Sequence, residues 1–362
     1  MSPINVVSLF DGMSCGCLAL IRAGIPVNTY YSSEIDNYAI QISEENFPHL
    51  VRMGDVENWK EWDIDWATID LLIAGSPCQG FSFAGKQLAF DDPRSKLFFV
   101  FIDILNHIKS LNPDVKFMLE NVKMKKEYLE VITEKVGVKP VFINSALVSA
   151  QNRQRYYWAN WEFGQPEDLG IKLISVLEDT PQEFTLMSDT FVNRQKGRSC
   201  LIDETKEKAA NLSAMEYVKN GRQGDYLLCD IKGGAIRGRY LVDGVRQDGK
   251  MLVAGLTKQM LEVREDDKTN ALTTVQKDTV VVSRIRDKSK CVRAGGRGSY
   301  DRHEWDSVDE YHYRKLTTIE CERLQTLPDN YTRGVSNTQR YRMLGNGWTV
   351  NVIAHIFKRM NG

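Results

Sequence analysis

The chain has 362 residues, is 42% hydrophobic and 26% charged, and carries a formal net charge of −1. That balance fits a globular protein with a buried core, long enough for two domains or for one domain with a large insertion. No apolar run reaches the roughly 18–20 residues that span a bilayer, which excludes a helical membrane anchor.

The opening Met1-Ser2-Pro3-Ile4 lacks the basic and apolar regions of a secretory signal, so an intracellular, cytoplasmic location is the expectation. Seven cysteines stand at 15, 17, 78, 200, 229, 291 and 321, without a Cys-x-x-Cys pair. The count is odd and the spacing is wrong for zinc, so reduced thiols are expected, with no structural metal.

In chain order, apolar runs at Val6–Phe10, Val27–Tyr31, Leu71–Ala74, Lys116–Leu119 and Val141–Ile143 read as buried parallel strands. Helical patterns fall between them at Cys17–Ala23, Tyr38–Asn46, Leu97–Lys109 and Lys126–Val136. Such alternation predicts a doubly wound α/β sheet with ligands at the carboxyl ends of its strands. From about 164 to 311 the texture changes to glycine-rich, short β-prone runs. A smaller β-rich domain at 164–311 is therefore expected, set into a main domain of 1–163 plus 312–362. Helical pattern returns at Leu316–Leu324 and Val350–Arg359.

Charge follows the same division. Residues 1–160 carry 15 basic against 19 acidic side chains, whereas 184–305 carry 23 against 17. Arg284 to Arg302 alone holds seven basic and two acidic residues. A polyanion would be attracted there, although a solvated surface explains the same run.

The candidate chemistry sits where strands end. Phe10-Asp11-Gly12-Met13-Ser14-Cys15-Gly16 follows the first strand and opens a helix, as a nucleotide-type cofactor loop does; a ligand-free turn would read the same way. Glu34, after the second strand, can accept from ribose hydroxyls, and Asp55 with Val56 follows a third. Cys78, in Ser76-Pro77-Cys78-Gln79-Gly80, is a candidate nucleophile in a turn made rigid by its neighbours. The polar loop 79–96 behind it can close over a substrate. Glu120, in Glu120-Asn121-Val122, stands on the same rim. Arg153 and Arg155, in Gln151-Asn152-Arg153-Gln154-Arg155, alternate as neighbours on one strand face would.

Taken in order, these segments resemble the DNA cytosine-5 methyltransferase family. The resemblance extends to Arg314-Lys315-Leu316-Thr317, to Glu320-Cys321-Glu322-Arg323-Leu324-Gln325 and to Gly345-Asn346-Gly347-Trp348-Thr349-Val350. The chain departs from the bacterial pattern at Ser14-Cys15-Gly16 and at Trp348, and in both places it is similar to eukaryotic de novo and phage-type enzymes.

The resemblance implies a Rossmann-like class I S-adenosylmethionine-dependent fold carrying a target-recognition domain. It implies catalysis by Cys78, Glu120, Arg153 and Arg155 on a cytosine flipped out of duplex DNA. S-adenosylmethionine would be held by Phe10, Asp11, Gly12, Met13, Cys15, Glu34, Ile35, Asp55, Val56, Pro77, Leu97, Asn346 and Trp348. DNA would be met by Gln79, Ser82, Lys86, Arg94 and Gln151, with 164–311 reading the sequence. Double-stranded DNA is the implied partner of a monomeric enzyme from a bacterium or phage-infected cell, with or without a restriction endonuclease for the same site. Two alternatives stay open: a relative that methylates cytosine in transfer RNA, and an inactive DNA-binding protein on this fold.

Overall fold

The computed structural model describes residues 2–75, 96–178, 184–187, 199–200, 230–242, 245–246, 257–264, 266–273, 279–286 and 309–360. Pro77, Cys78, Gln79, Ser82, Lys86 and Arg94 lie outside the described residues. Two compact units emerge. The first comprises Met1–Ile171, Ala271–Thr274 and Cys321–Gly362; the second comprises Lys172–Asn270 and Val275–Glu320.

The first unit is built on a seven-stranded sheet. Its strands are β1 (Ile4–Leu9), β2 (Val27–Ser33), β3 (Val51–Arg52), β4 (Leu71–Gly75), β5 (Lys116–Val122), β6 (Val141–Asn144) and β8 (Gln154–Ala159), while β7 is the short Gln151–Asn152. They run in the order β3-β2-β1-β4-β5-β8-β6. The pairs from β3 to β5 are parallel. β8 is antiparallel to both β5 and β6. The expected alternation is present with one correction: the run at Val141 is an edge strand in an antiparallel pair, not a buried parallel one. Phe142 on it is 36% exposed, since an edge strand has only one neighbour to cover it.

Helices pack on both faces. One core gathers Val7, Leu9, Leu72, Ala74, Phe117 and Leu119 from the strands against α3 (Lys96–Leu111) and α4 (Lys126–Val136). In α3 the buried positions Phe98, Phe101, Ile102, Leu105 and Ile108 repeat at three and four residues, the stripe one helix face requires. α4 ends where Gly137 adopts φ 78°, a left-handed conformation that glycine takes without steric cost. The two helices shield the β1, β4 and β5 side chains that make the centre of the sheet a continuous apolar layer.

On the other side, α1 (Cys15–Ala23) packs with α7 (Val350–Lys358), the last helix of the chain. Between these ends come α2 (Asn37–Asn46), capped by Asp36 through the Tyr38 N–H at 3.0 Å, α5 (Thr318–Leu324) and α6 (Asn337–Asn346).

The second unit is an antiparallel sheet in the order Ser199–Cys200, Phe184–Met187, Asp309–Lys315, Val280–Arg286, Asp230–Val242 and Val245–Arg246. Thr257–Val263 also pairs with Asp230–Val242. Ile236, Val280 and Val282 form its small core. Gly233 leaves no room for a side chain, because an added Cβ would stand 2.3 Å from the Lys268 carbonyl oxygen. No described helix is long and apolar enough to cross a membrane.

Candidate active site

The loop after β1 is shaped by three left-handed residues, Phe10 (φ 57°), Gly12 (φ 57°) and Ser14 (φ 59°). Only one is glycine, so the other two need external support. Asp11 supplies it. One carboxylate oxygen accepts from Ser8 Oγ at 2.5 Å and Tyr30 OH at 2.7 Å; the second accepts from Ser14 Oγ at 2.5 Å and Ser32 Oγ at 2.7 Å. Beyond this shell stands Arg52, which donates to Ser32 Oγ at 3.0 Å and to Ser43 Oγ at 2.8 Å. Ser43 in turn bonds Ser14. A buried carboxylate thus meets its cation through hydroxyl relays, which satisfies the desolvation demand of a buried acid.

Glu34 faces the other way. It accepts from the Gly12 N–H at 2.8 Å with one oxygen, and from the Ile35 and Asp36 N–H groups at 2.8 and 2.9 Å with the other. Three of about four lone-pair positions are occupied, leaving acceptor capacity for a further hydroxyl. Ile35 beside it is 69% exposed, an apolar surface available to a flat ring. Asp55 is also exposed and bonds the Glu57 N–H at 3.0 Å. Ser33 Oγ donates to the Gly54 carbonyl at 2.8 Å, which ties the Asp55 turn to the end of β2.

The residues expected around a cofactor therefore divide. Gly12, Glu34, Ile35, Asp55 and the exposed Asn346 present accessible groups. Asp11, Met13, Cys15 and Val56 are buried and serve the loop's framework. Phe10 and Leu97 are partly buried against the core. An apolar platform next to an acid with one acceptor position left, just past the end of the second strand, fits an adenine nucleoside.

Glu120 lies near the carboxyl end of β5 and is 8% exposed. Its register partner on β4 is Gly75, the last described residue before Pro77 and Cys78. Arg155 Nε lies 2.9 Å from one carboxylate oxygen of Glu120, and Trp348 Nε1 donates to the other at 3.2 Å. Arg153 is placed differently from expectation. It falls in the break between β7 and β8, not beside Arg155 on a continuous strand. Its guanidinium donates to the carbonyls of Leu272, Gly345 and Gly347 at 2.9–3.1 Å.

Gln151, expected to reach substrate, is fully buried. Its amide donates to the Leu324 carbonyl at 3.1 Å and to Gln325 at 3.2 Å, and its oxygen accepts from the Leu272 N–H at 2.8 Å. Those bonds turn it inward, away from any substrate.

Sequence reasoning missed a polar chain behind the site. Gln325 accepts from Thr349 Oγ1 at 2.9 Å, and Thr349 meets Ser145 Oγ at 2.9 Å. Tyr331 likewise donates to the Met13 carbonyl at 2.7 Å. Gln325 and Thr349 lie in segments that carry the family resemblance, whereas Ser145 and Tyr331 lie in none, and only the spatial arrangement reveals that they meet.

A mostly parallel seven-stranded sheet, with a glycine loop and an acid after its first two strands, defines a class I S-adenosylmethionine-dependent methyltransferase fold. The chain belongs to the C-5 cytosine-specific DNA methylase family, whose description matches residues 4–362. It is 26% identical to orphan methyltransferase M.SPRI of Bacillus phage SPR, over 99% of this chain and 98% of that protein. It is also 26% identical to type II methyltransferase M.HhaI of Haemophilus parahaemolyticus, over 98% and 94%.

Among solved structures it is similar in fold to the Entamoeba histolytica methyltransferase EhMeth (TM-score 0.58, 16% identity, 99% and 98% coverage). A Spodoptera frugiperda DNMT2 mutant shares the fold too (TM-score 0.54, 18% identity, 99% and 100% coverage). Membership in this family makes the chain a DNA C5-methyltransferase by class, and the family implies S-adenosylmethionine as cofactor and DNA as substrate.

Two outcomes test the loop. Asp11→Ala leaves four hydroxyls without their acceptor and lowers stability by on the order of 3–5 kcal/mol, read as a fall in the urea midpoint; a change under about 1 kcal/mol would contradict the network. Burial pushes the Cys15 and Cys17 thiols up to about 12 from an ordinary 9.0, with Asp11 adding to the effect. Both should resist alkylation in the native chain at pH 8 and react once it is unfolded. Because their folded values are raised, the stability they contribute is whole below about pH 9 and declines as pH climbs toward 12. Denaturation midpoints measured across that interval check the sign.

Proposed function

We propose that this chain methylates C5 of a cytosine in a specific duplex DNA sequence, through a covalent bond between Cys78 and C6 of the flipped base. The observation that supports this most is the pairing of Glu120 with Gly75. Cys78 follows Gly75 by three residues, and three residues of chain span at most about 11 Å even when extended. A buried carboxylate held by an arginine thus stands at the rim that the candidate nucleophile must leave from.

A stacked base cannot reach such a rim, so the target is extruded at a cost of a few kcal/mol. The Cys78 thiolate adds to C6, and the displaced ring electrons make C5 nucleophilic. Glu120 faces the N3 and amino edge of the pyrimidine, holding or passing the proton that offsets charge developing there. Arg155 keeps that carboxylate in place, and Arg153 fixes the Gly345–Gly347 turn behind it. When bound, S-adenosylmethionine supplies the methyl group that C5 accepts. Loss of the C5 proton to a base then re-forms the C5–C6 double bond and expels the Cys78 thiolate.

For the cofactor, Glu34 would accept from ribose hydroxyls, Ile35 would lie along the adenine and Asp55 would accept from its amino group. Gly12 would let the backbone approach. Gln79, Ser82, Lys86 and Arg94 would meet the flipped nucleotide, and Pro77 would rigidify the turn. The second unit, with the basic run Arg284 to Arg302, would read the sequence through groove contacts and attraction to phosphate. The protein would act as a monomer, with any partner endonuclease cutting the same site.

Cys78→Ala should abolish methyl transfer to duplex DNA while retaining cofactor binding; turnover at the unmodified rate would refute the nucleophile. Methyl incorporation into duplex DNA, compared with transfer RNA, identifies the substrate, and label confined to transfer RNA would overturn this reading. Glu34→Ala should weaken S-adenosylmethionine binding by about 1–3 kcal/mol, as loss of a charged hydrogen bond does. Calorimetry showing unchanged affinity would remove the ribose role.

A further inference from the structure

Trp348 is 9% exposed and occupies space that Gly75 leaves open. A Cβ on Gly75 would stand 2.7 Å from the indole Nε1 and 3.1 Å from two ring carbons. A Cβ on Gly16 would meet Ile73 Cδ1 at 2.6 Å and Tyr30 OH at 2.8 Å before the far edge of the same ring at 3.3 Å. The Gly75 distance is too short for a real side chain, so the indole fills the volume that glycine leaves at the end of β4. Neither glycine has a left-handed backbone. What each supplies is room.

Filling that room brings the indole N–H to Glu120. Gly75 and Glu120 are register partners on adjacent strands, so a ring resting on one strand end reaches the carboxylate on the next. The carboxylate then has a donor on each oxygen, Arg155 at 2.9 Å and Trp348 at 3.2 Å. One donor leaves a carboxyl group free to swing about its last torsion. Two donors on opposite oxygens fix its plane. Trp348 is itself held, since Arg153 and Gln325 both donate to the neighbouring Gly347 carbonyl at 2.9 and 3.1 Å.

We propose that Trp348 is a positioning residue for Glu120: its indole N–H sets the orientation in which the carboxylate meets the base, and Gly75 is small to admit the ring. The proposal rests on the methyltransferase reading above for its catalytic consequence, but the contact itself is testable without turnover. A residue that only packed against a bound cofactor would affect cofactor affinity first. A positioning residue affects the chemical step.

The full chain labelled with ¹⁵N-tryptophan gives seven indole signals, and the one lost in Trp348→Phe identifies Trp348. In Glu120→Gln that signal should move while the other six stay, because a charged acceptor has become a neutral one. Gly75→Ala should move it as well by displacing the ring.

In steady-state assays on duplex DNA, Trp348→Phe keeps most of the ring and loses the donor. It should lower kcat by about 10- to 100-fold, with KM for S-adenosylmethionine within about twofold of the unmodified chain. An indole signal that Glu120→Gln leaves in place, or a Trp348→Phe variant with unchanged kcat, overturns the role of Trp348 alone. Absence of methyl transfer by the unmodified chain overturns the function instead.

Discussion

A buried carboxylate with four hydroxyl donors organises the front of the sheet. Asp11 joins β1, through Ser8, to β2, through Tyr30 and Ser32, and to the entry of α1, through Ser14. Arg52, on β3, completes the arrangement from behind two of those hydroxyls. Without an acid at that point, the left-handed residues Phe10 and Ser14 would lose their support, and Gly12 would not present its N–H to Glu34. Hydroxyls suit this task because one such as Ser32 turns its proton toward the acid and accepts from Arg52 on its other side. The same loop could not be held as closely by a direct ion pair, whose geometry admits fewer partners.

The division of labour between acids follows from this. Asp11 and Glu34 lie on either side of one loop and differ in what they face. Asp11 has its oxygens filled by side chains and is structural; Glu34 has backbone donors on three positions and room for a ligand hydroxyl. From the sequence both are simply acids after strands. Similarly, Arg153 and Arg155 are two residues apart, yet Arg153 is bound to three carbonyls in the interior and Arg155 is paired with Glu120. The break in the strand between Asn152 and Gln154 separates their fates, and no residue in that stretch signals a break.

What could be read in advance was the architecture. β-branched runs and intervening helical stripes placed β1, β2, β4 and β5 to within a few residues, because parallel strands buried on both faces must be continuously apolar. The helix Asn337–Asn346 was not anticipated, since its Asn-Thr-Gln-Arg-Tyr-Arg opening has no apolar stripe and its stability comes from neighbours. The Val141 strand looked like its predecessors but runs in an antiparallel pair, as orientation is a property of the connection and not of the strand's own residues. For the site, Glu120 and Arg155 were legible as chemistry-bearing types on one rim. The indole that completes their geometry was legible as a cofactor-side residue and not as a partner of Glu120, because a hydrogen bond between positions 120 and 348 leaves no local trace.

The packing of α1 against α7 has a consequence for how the protein is made. Residues 15–23 leave the ribosome more than 300 residues ahead of their partner, residues 350–358. At about 5–20 residues per second the interval between them is on the order of tens of seconds. Throughout it Ala19, Leu20 and the sheet face beneath them lack their final cover. Contacts of such sequence separation slow folding, so a growing chain must survive with this surface bare, and a truncation that removes the last helix should leave an aggregation-prone remnant even though every strand of the sheet is present.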